Sequence, residues 1–313
     1  LNLDYVVDKY YEFFRHFQWN IGVVEEPIQA FLEPDLRPSV HWLPSLGRDR
    51  FLADPFGLVR DKKVHILCEE FDYRSRKGVI SSVEVSADWT ASPPLPVISR
   101  PVHMSYPYIL EYEGGIYCVP ETHDAREVRM YRADEFPSRW TPEAVLVRDI
   151  PALDGTMFEH GGRWWLACTD FDRGPETHLS LWHAPAPFGP WEPHAGNPVK
   201  TDIRSARPAG TPFRVRGDLY RPAQDCSKRY GGRVVINRVV HLTPTEFEEE
   251  PVAVVDPFGG GPFPDGIHTL SAVGKFTLVD GYRFRFIPSA FRNAVTRELR
   301  ARRGAAHSVL RRG

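Results

Sequence analysis

Two ladders run through this 313-residue chain with almost the same step. Cys68, Cys118 and Cys168 are spaced by 50 and 50 residues, and Trp89, Trp140 and Trp191 by 51 and 51. A period of that length means structural units stacked or arranged radially, because one such unit cannot bury its apolar face alone. Aligning on the period gives five segments, which begin ADPFGLV, SYPYILE, DGTMFEH, AGTPFRV and DGIHTLS. Each reads as a strand, a turn rich in Gly or charge, and a second strand. Further strand-like stretches follow the first four: VISSVEV, VRMYRA, LSLWHA and VVINRVV. Four strands in each of five units predict an all-β, five-bladed β-propeller, a ring that leaves only short, protected sheet edges. A sandwich would account for the strands but not for the common period. The 29 prolines agree with short strands and tight turns, since proline breaks helical interiors.

The propeller is expected over residues 41–289. Residues 1–40 are expected to hold a short N-terminal docking helix near 4–17 and a ring-closing strand, WNIGVV, which would join the fifth unit. Residues 290–313 carry seven Arg and one Glu and read as a basic, partly helical tail. That tail is either a solvated face or a contact for an anionic membrane surface or partner.

The 39 Lys+Arg balance 41 Asp+Glu, and a net charge of −2 argues against a general nucleic-acid binder. No run of 18 apolar residues suggests a transmembrane segment. None of the four cysteines forms a C-x-x-C pair, so a zinc site is not indicated. Each ends a short run and reads as a small buried strand residue, in keeping with a reduced, cytoplasmic setting. The chain does not begin with Met, which leaves a removed signal peptide open. Phosphate-loop, nucleophile-elbow and H-E-x-x-H motifs are absent from the sequence.

The repeat brings distant polar residues together. The units open on Asp54, Tyr106, Asp154, Ala209 and Asp265, and fifteen residues later come Glu69, Glu121, Thr169, Gln224 and Asp280. In a propeller the first residue of every unit faces one axial funnel. Clustered carboxyls repel one another and lose solvation, an arrangement that points to use. Sugar chemistry matches best, with one carboxyl protonating a leaving oxygen and another activating water or attacking carbon. Calcium on oxygen ligands is the competing use, and turn capping by Asp is the structural one. Tyr106 and Trp164 are candidate sugar-stacking residues; Trp164 and Trp165 point to opposite faces, so one of them belongs to the core. Arg207 and Arg221, in ARPAG and YRPAQD, would favour an anionic glycan if they reach the funnel. His268 sits at the axial end of the fifth unit, and His103 precedes the second hairpin.

FLADPF, HMSYPY, VPET, FPSRW, RWWLACTD, FGPWEPHAGNPV, ARPAG, YRPAQDCSKRYG and HLTPTEFEEE carry a resemblance. Over residues 41–250 the chain resembles the N-terminal propeller domain of plant glucosamine inositolphosphorylceramide transferases and its bacterial relatives. The resemblance implies a propeller and leaves the transferase chemistry to a separate C-terminal domain. More distantly, the layout is similar to five-bladed glycosidases acting on arabinan, xylan and fructan. That likeness implies a base or nucleophile at Asp54, an orienting Asp154, and a central His268 near water or Ca2+. It also implies a Glu opening the fourth blade, where this chain has ARPAG; Glu121, Glu69 or Asp225 could substitute.

The expected function is a glycan-processing enzyme, a glycoside hydrolase with Asp54, Glu121 (proton donor) and Asp154 as catalytic residues. Glu69, Tyr106, Trp164, Arg207, Arg221, Gln224, Asp225, Asp265 and His268 would bind the carbohydrate, with no cofactor required. The alternative is a non-catalytic glycan-binding or scaffold domain in polysaccharide or glycolipid assembly. Carboxyls facing each other across an open funnel support the first; carboxyls tied to backbone amides or Arg support the second.

Overall fold

The structure, a computed structural model, describes residues 15–286. It is a ring of five antiparallel sheets. Blade one runs from the axis outward as Arg50–Arg60, Lys63–Asp72, Lys77–Val85 and Leu95–Ile98. Blade two follows as Ser105–Tyr112, Gly115–Glu121, Glu127–Glu135 and Arg139–Arg148. In blade three, Ala152–His160, Arg163–Asp170 and His178–Ala184 are edged by two short pieces, Glu192–Pro193 and Lys200–Thr201. Blade four holds Phe213–Val215, Asp218–Asp225, Arg233–Leu242 and Phe247–Val255.

Blade five joins the two ends of the described chain. Leu270–Val273 and Phe276–Phe286 supply its inner strands, and Arg15–Val24 and Val40–Trp42 complete it from the N-terminal side. Arg15–Val24 pairs with Phe286–Thr277 along its whole length, so WNIGVV lies in the closing strand. The expected helix over 4–17 is corrected at its end, where Arg15–Phe17 are strand. Its remainder, and the basic tail 290–313, lie outside the described residues.

The ladders have a packing cause. Cys68, Cys118 and Cys168 are fully buried in the second strands, where a small side chain fits between adjoining sheets, and all four cysteines are free thiols. Trp89 stacks on His41 at 4.0 Å and meets Phe276 edge-on, which ties blade one to blade five.

The fifth unit departs from the expected spacing. Thr269, eleven residues before Asp280, occupies the axial position there, because the arms of this hairpin, Leu270–Val273 against Phe276–Val279, are shorter than those of blade one, while its two-residue turn is the same. Asp265 therefore sits outside the ring, where its carboxylate accepts the Phe284 N–H at 2.7 Å. Its expected place in the funnel is corrected accordingly.

Closure by one strand makes that strand's core residues sensitive. Ile21 is fully buried among Leu52, Val273 and Leu278. Ile21→Ala should cost about 2–5 kcal/mol, read as a drop in the thermal midpoint. Val240→Ala, at a side chain 49% exposed, should leave the midpoint nearly unchanged.

Candidate functional site

Three inner strands carry the same defect at the same place. The registers of blades one, two and three slip between Ala53 and Phe56, Ser105 and Tyr108, and Leu153 and Thr156. Within each slip lies a non-glycine residue in the left-handed region: Asp54 (φ 52°), Tyr106 (φ 44°) and Asp154 (φ 54°). Such a conformation costs on the order of 1–3 kcal/mol per residue, and β-bulges re-aim the chain next to functional sites. Here the turned backbone directs each N–H at a carboxylate of the preceding blade. Asp54 N–H reaches Asp280 (3.1 Å), Tyr106 N–H reaches Asp54 (3.2 Å) and Asp154 N–H reaches Glu121 (3.0 Å).

Above this ring lies a cavity of about 310 Å³, walled by Asp54, Glu69, Glu121, Asp154, Arg207 and Tyr230 among others. Asp154 is held by Arg207 Nε at 2.5 Å and Gln224 Nε2 at 2.9 Å, and the Arg207 guanidinium lies over the Tyr230 ring. Glu121 also bonds His123 Nδ1 at 3.0 Å. Asp54 accepts the Thr269 hydroxyl at 3.2 Å. Glu69 differs from these, because the basic side chain it approaches is only His103, with Nε2 at 3.5 Å. His103 Nδ1 accepts the Gly78 N–H, so Nδ1 carries no proton and the ring is neutral. Burial lowers the His103 pKa in the same sense.

The environments push the carboxyls apart. Burial raises Asp54 to about 6, with His268 pulling down and Asp280 and Glu121 adding to the rise. Burial raises Asp154 to about 7 against the pull of Arg207. Glu69 is raised well above the usual range by burial and by the neighbouring Asp54. For Glu121 burial works upward, but His123 and Arg207 outweigh it and hold the group at about 2. The proton-donor role expected of Glu121 runs against this pull, and burial favours the protonated form at Glu69 instead.

On the axis, His268 stacks on Trp19 at 3.8 Å and its Nδ1 meets Asp280 at 2.6 Å. Burial opposes its charge, yet Asp280 and Asp54 outweigh that and raise its pKa. Asp54, His268 and Asp280 are close enough to share a cation. They fit one poorly, because Asp280 already accepts the N–H groups of Asp54, His268 and Thr269 and the His268 ring. Calcium takes six to eight oxygens, more than these two carboxyls and one imidazole offer.

Several expected contacts fall elsewhere. Tyr106 is fully buried, with its hydroxyl bonded to Thr156 at 2.8 Å and accepting the Gly210 N–H at 2.7 Å, so it plugs the axis and offers no stacking face. Trp164 meets Tyr112 near the turn of its hairpin, away from the funnel, while Trp165 is the core member of the pair. Arg221 is 1% exposed and clamps both oxygens of Glu249 at 2.9 and 2.6 Å. Asp225 pairs with Arg233 in a separate cleft. Gln224 lies beneath Asp154, and Arg207 is neutralised by that carboxylate. Neither expected arginine is thus free to hold an anionic glycan in the funnel.

The sequence pattern passed over His123, Phe171, Glu176 and Tyr230, all of which line the cavity. His123 lies two residues after Glu121 and could have been found from that ring position. Phe171, Glu176 and Tyr230 come from loops between second and third strands, which carry no repeat signal.

Fold and site together define a five-bladed β-propeller with a carboxyl-lined axial funnel. In solved structures the fold resembles a putative glycoside hydrolase from Bacteroides ovatus, with a TM-score of 0.54 and 12% identity over 75% of this chain and 87% of that one. It also resembles the catalytic domain of an alpha-L-arabinofuranosidase from Coprinopsis cinerea, with a TM-score of 0.52 and 12% identity over 85% and 97%. These likenesses are of fold alone. Residues 45–257 match the family described as glucosamine inositolphosphorylceramide transferase 1, N-terminal, and the chain belongs to that family. Curated relatives are the glucosamine inositolphosphorylceramide transferase 1 of japonica rice, 37% identical over 211 residues, and that of Arabidopsis thaliana, 33% over 208. Each match covers 64% of this chain, which spans little more than a quarter of those relatives' length (28% and 27%). Both are plant proteins, so the expectation of a bacterial homologue finds no support in them.

The raised groups set a pH dependence. Asp54 and Asp154 bind protons more tightly folded than unfolded, where a carboxyl titrates near 4. The stability they lend is therefore complete below about pH 4 and is lost as pH rises through about 6 and about 7. His268, also raised, acts in the same sense. The thermal midpoint should fall between pH 5 and pH 8 at fixed ionic strength, and Asp54→Asn should flatten the slope. A midpoint that rises across this window would contradict the assignment.

Proposed function

We propose that the chain is a glycan-recognition propeller acting in glycolipid or polysaccharide assembly, with the axial funnel taking one sugar residue. The observation that carries this reading is the engagement of three funnel carboxyls. Asp54 and Glu121 accept backbone N–H groups of the next blade, and Asp154 is clamped by Arg207 and Gln224. Groups held this way form a rigid set of acceptors for sugar hydroxyls, and rigidity lowers the ordering cost of binding. The cavity volume suits a single ring, with Tyr230 and Phe171 as apolar faces in its wall. At the fourth-blade position where a glycosidase-like layout would place its acid, Arg207, Pro208 and Ala209 bring no carboxyl. The relatives' names, which concern a glucosamine-bearing glycolipid, agree with a sugar ligand.

A second reading, hydrolysis of a glycosidic bond, is favoured by one feature. Burial favours the protonated form of Glu69, while Asp54, at about 6, ionises more readily. Two carboxyls separated in this way can serve as acid and base.

Wild type, Glu69→Gln and Asp54→Asn can be run against plant and bacterial glycans, with binding read by calorimetry and released sugar by mass spectrometry. The recognition reading expects binding without release. It expects Glu69→Gln, which alters the carboxyl least engaged by the protein, to weaken binding by roughly tenfold. Sugar release by wild type that both variants abolish would replace recognition with hydrolysis.

A further inference from the structure

The cationic excess that the funnel lacks is found on the flank of the ring. Between the outer strand of blade one, Leu95–Ile98, and the outer strands of blade two lies a groove of about 410 Å³. Glu127, Arg129 and Tyr131 alternate along Glu127–Glu135 and so project from one face of that strand. Arg100, just beyond Ile98, meets them from the other side. Its Nη1 bonds Glu127 at 2.8 Å, while Arg129 reaches the same carboxylate through Nε at 2.8 Å and Nη2 at 3.2 Å.

One carboxylate thus serves two guanidiniums. Both Arg side chains remain about a quarter exposed, at 28% and 25%, and keep most of their N–H donors unused among the described residues. Lys77, whose ammonium bonds the Arg100 carbonyl, adds a third positive charge nearby. Tyr131 is 4% exposed, and its hydroxyl has no hydrogen-bond partner among the described residues. Burial raises the Tyr131 pKa, with Arg100 and Arg129 close enough to oppose the rise. Trp140 and Pro142 wall the groove opposite Val97 and Ile98.

We propose that this groove is an oxyanion site, distinct from the funnel, which holds the phosphoryl or carboxylate group of an acidic saccharide between Arg100, Arg129 and the Tyr131 hydroxyl. Guanidinium N–H groups and a phenol match the acceptors of either group, and a net positive crevice retains its attraction where solvent access is reduced. The Trp140 and Pro142 wall gives the attached ring an apolar surface.

The test is calorimetry at low ionic strength with inorganic phosphate, glucose 1-phosphate, glucuronate and methyl glucoside as probes. Wild type should bind the charged probes and not methyl glucoside; a preference for glucose 1-phosphate or for glucuronate identifies the phosphoryl or the carboxylate source. Arg129→Gln should weaken binding by about tenfold or more. Tyr131→Phe, which removes one hydroxyl and keeps the packing, should weaken it by about threefold with an unchanged thermal midpoint. Glu127→Gln should tighten it, because the competing negative charge is gone. Equal affinity in wild type and Tyr131→Phe, weaker binding in folded Glu127→Gln, or no binding of any charged probe would overturn the proposal and leave the triad as a structural ion pair.

Discussion

The axial bonds from backbone N–H groups to carboxylates of the preceding blade are the interaction on which the site depends. Each joins a residue in the left-handed region, non-glycine in all three cases, to a buried carboxylate that receives its N–H. Either feature alone is unfavourable, and each satisfies the need of the other. A buried carboxylate is stable when amide donors and cations surround it, and an N–H turned into the axis has no strand partner there. The same bonds join blade five to blade one, one to two, and two to three. Blades three and four are joined differently, through Arg207 and Gln224 on Asp154.

Closure and site are physically continuous. Trp19 on the closing strand stacks on His268, and His268 is held by Asp280, which in turn receives the N–H of Asp54. The strand that completes the fifth blade thereby fixes the ring orientation of the axial histidine. A disturbance at the closing strand would reach the funnel through these three contacts, without needing any motion of the blades.

Charge is partitioned between two faces. The funnel concentrates carboxyls and neutralises its one arginine internally, so its residual chemistry is that of an acceptor for hydroxyls or cations. The crevice between blades one and two concentrates guanidiniums on a single carboxylate. An overall charge near zero conceals both, since it averages over surfaces that a ligand meets separately.

The architecture was legible in the chain alone: a period of fifty in Cys and Trp is enough for five four-stranded units, because small buried residues and blade-edge indoles recur wherever equivalent sheets pack. The sequence also placed Asp54, Glu69, Glu121 and Asp154 around one axis, since a repeat turns distance along the chain into proximity in space. It misplaced Asp265, because a constant offset cannot register a hairpin whose strand arms are shorter than the others. Packing in three dimensions sets the two glutamates apart, as Glu69 and Glu121 occupy equivalent repeat positions and differ through His103, His123 and Arg207, which loops and the fourth blade bring to them. It alone showed that Tyr106 plugs the axis and that Arg221 is spent on Glu249. Tyr230, Phe171 and the Arg100–Arg129 pair were equally out of reach, because loops and inter-blade crevices bring together residues that share no period.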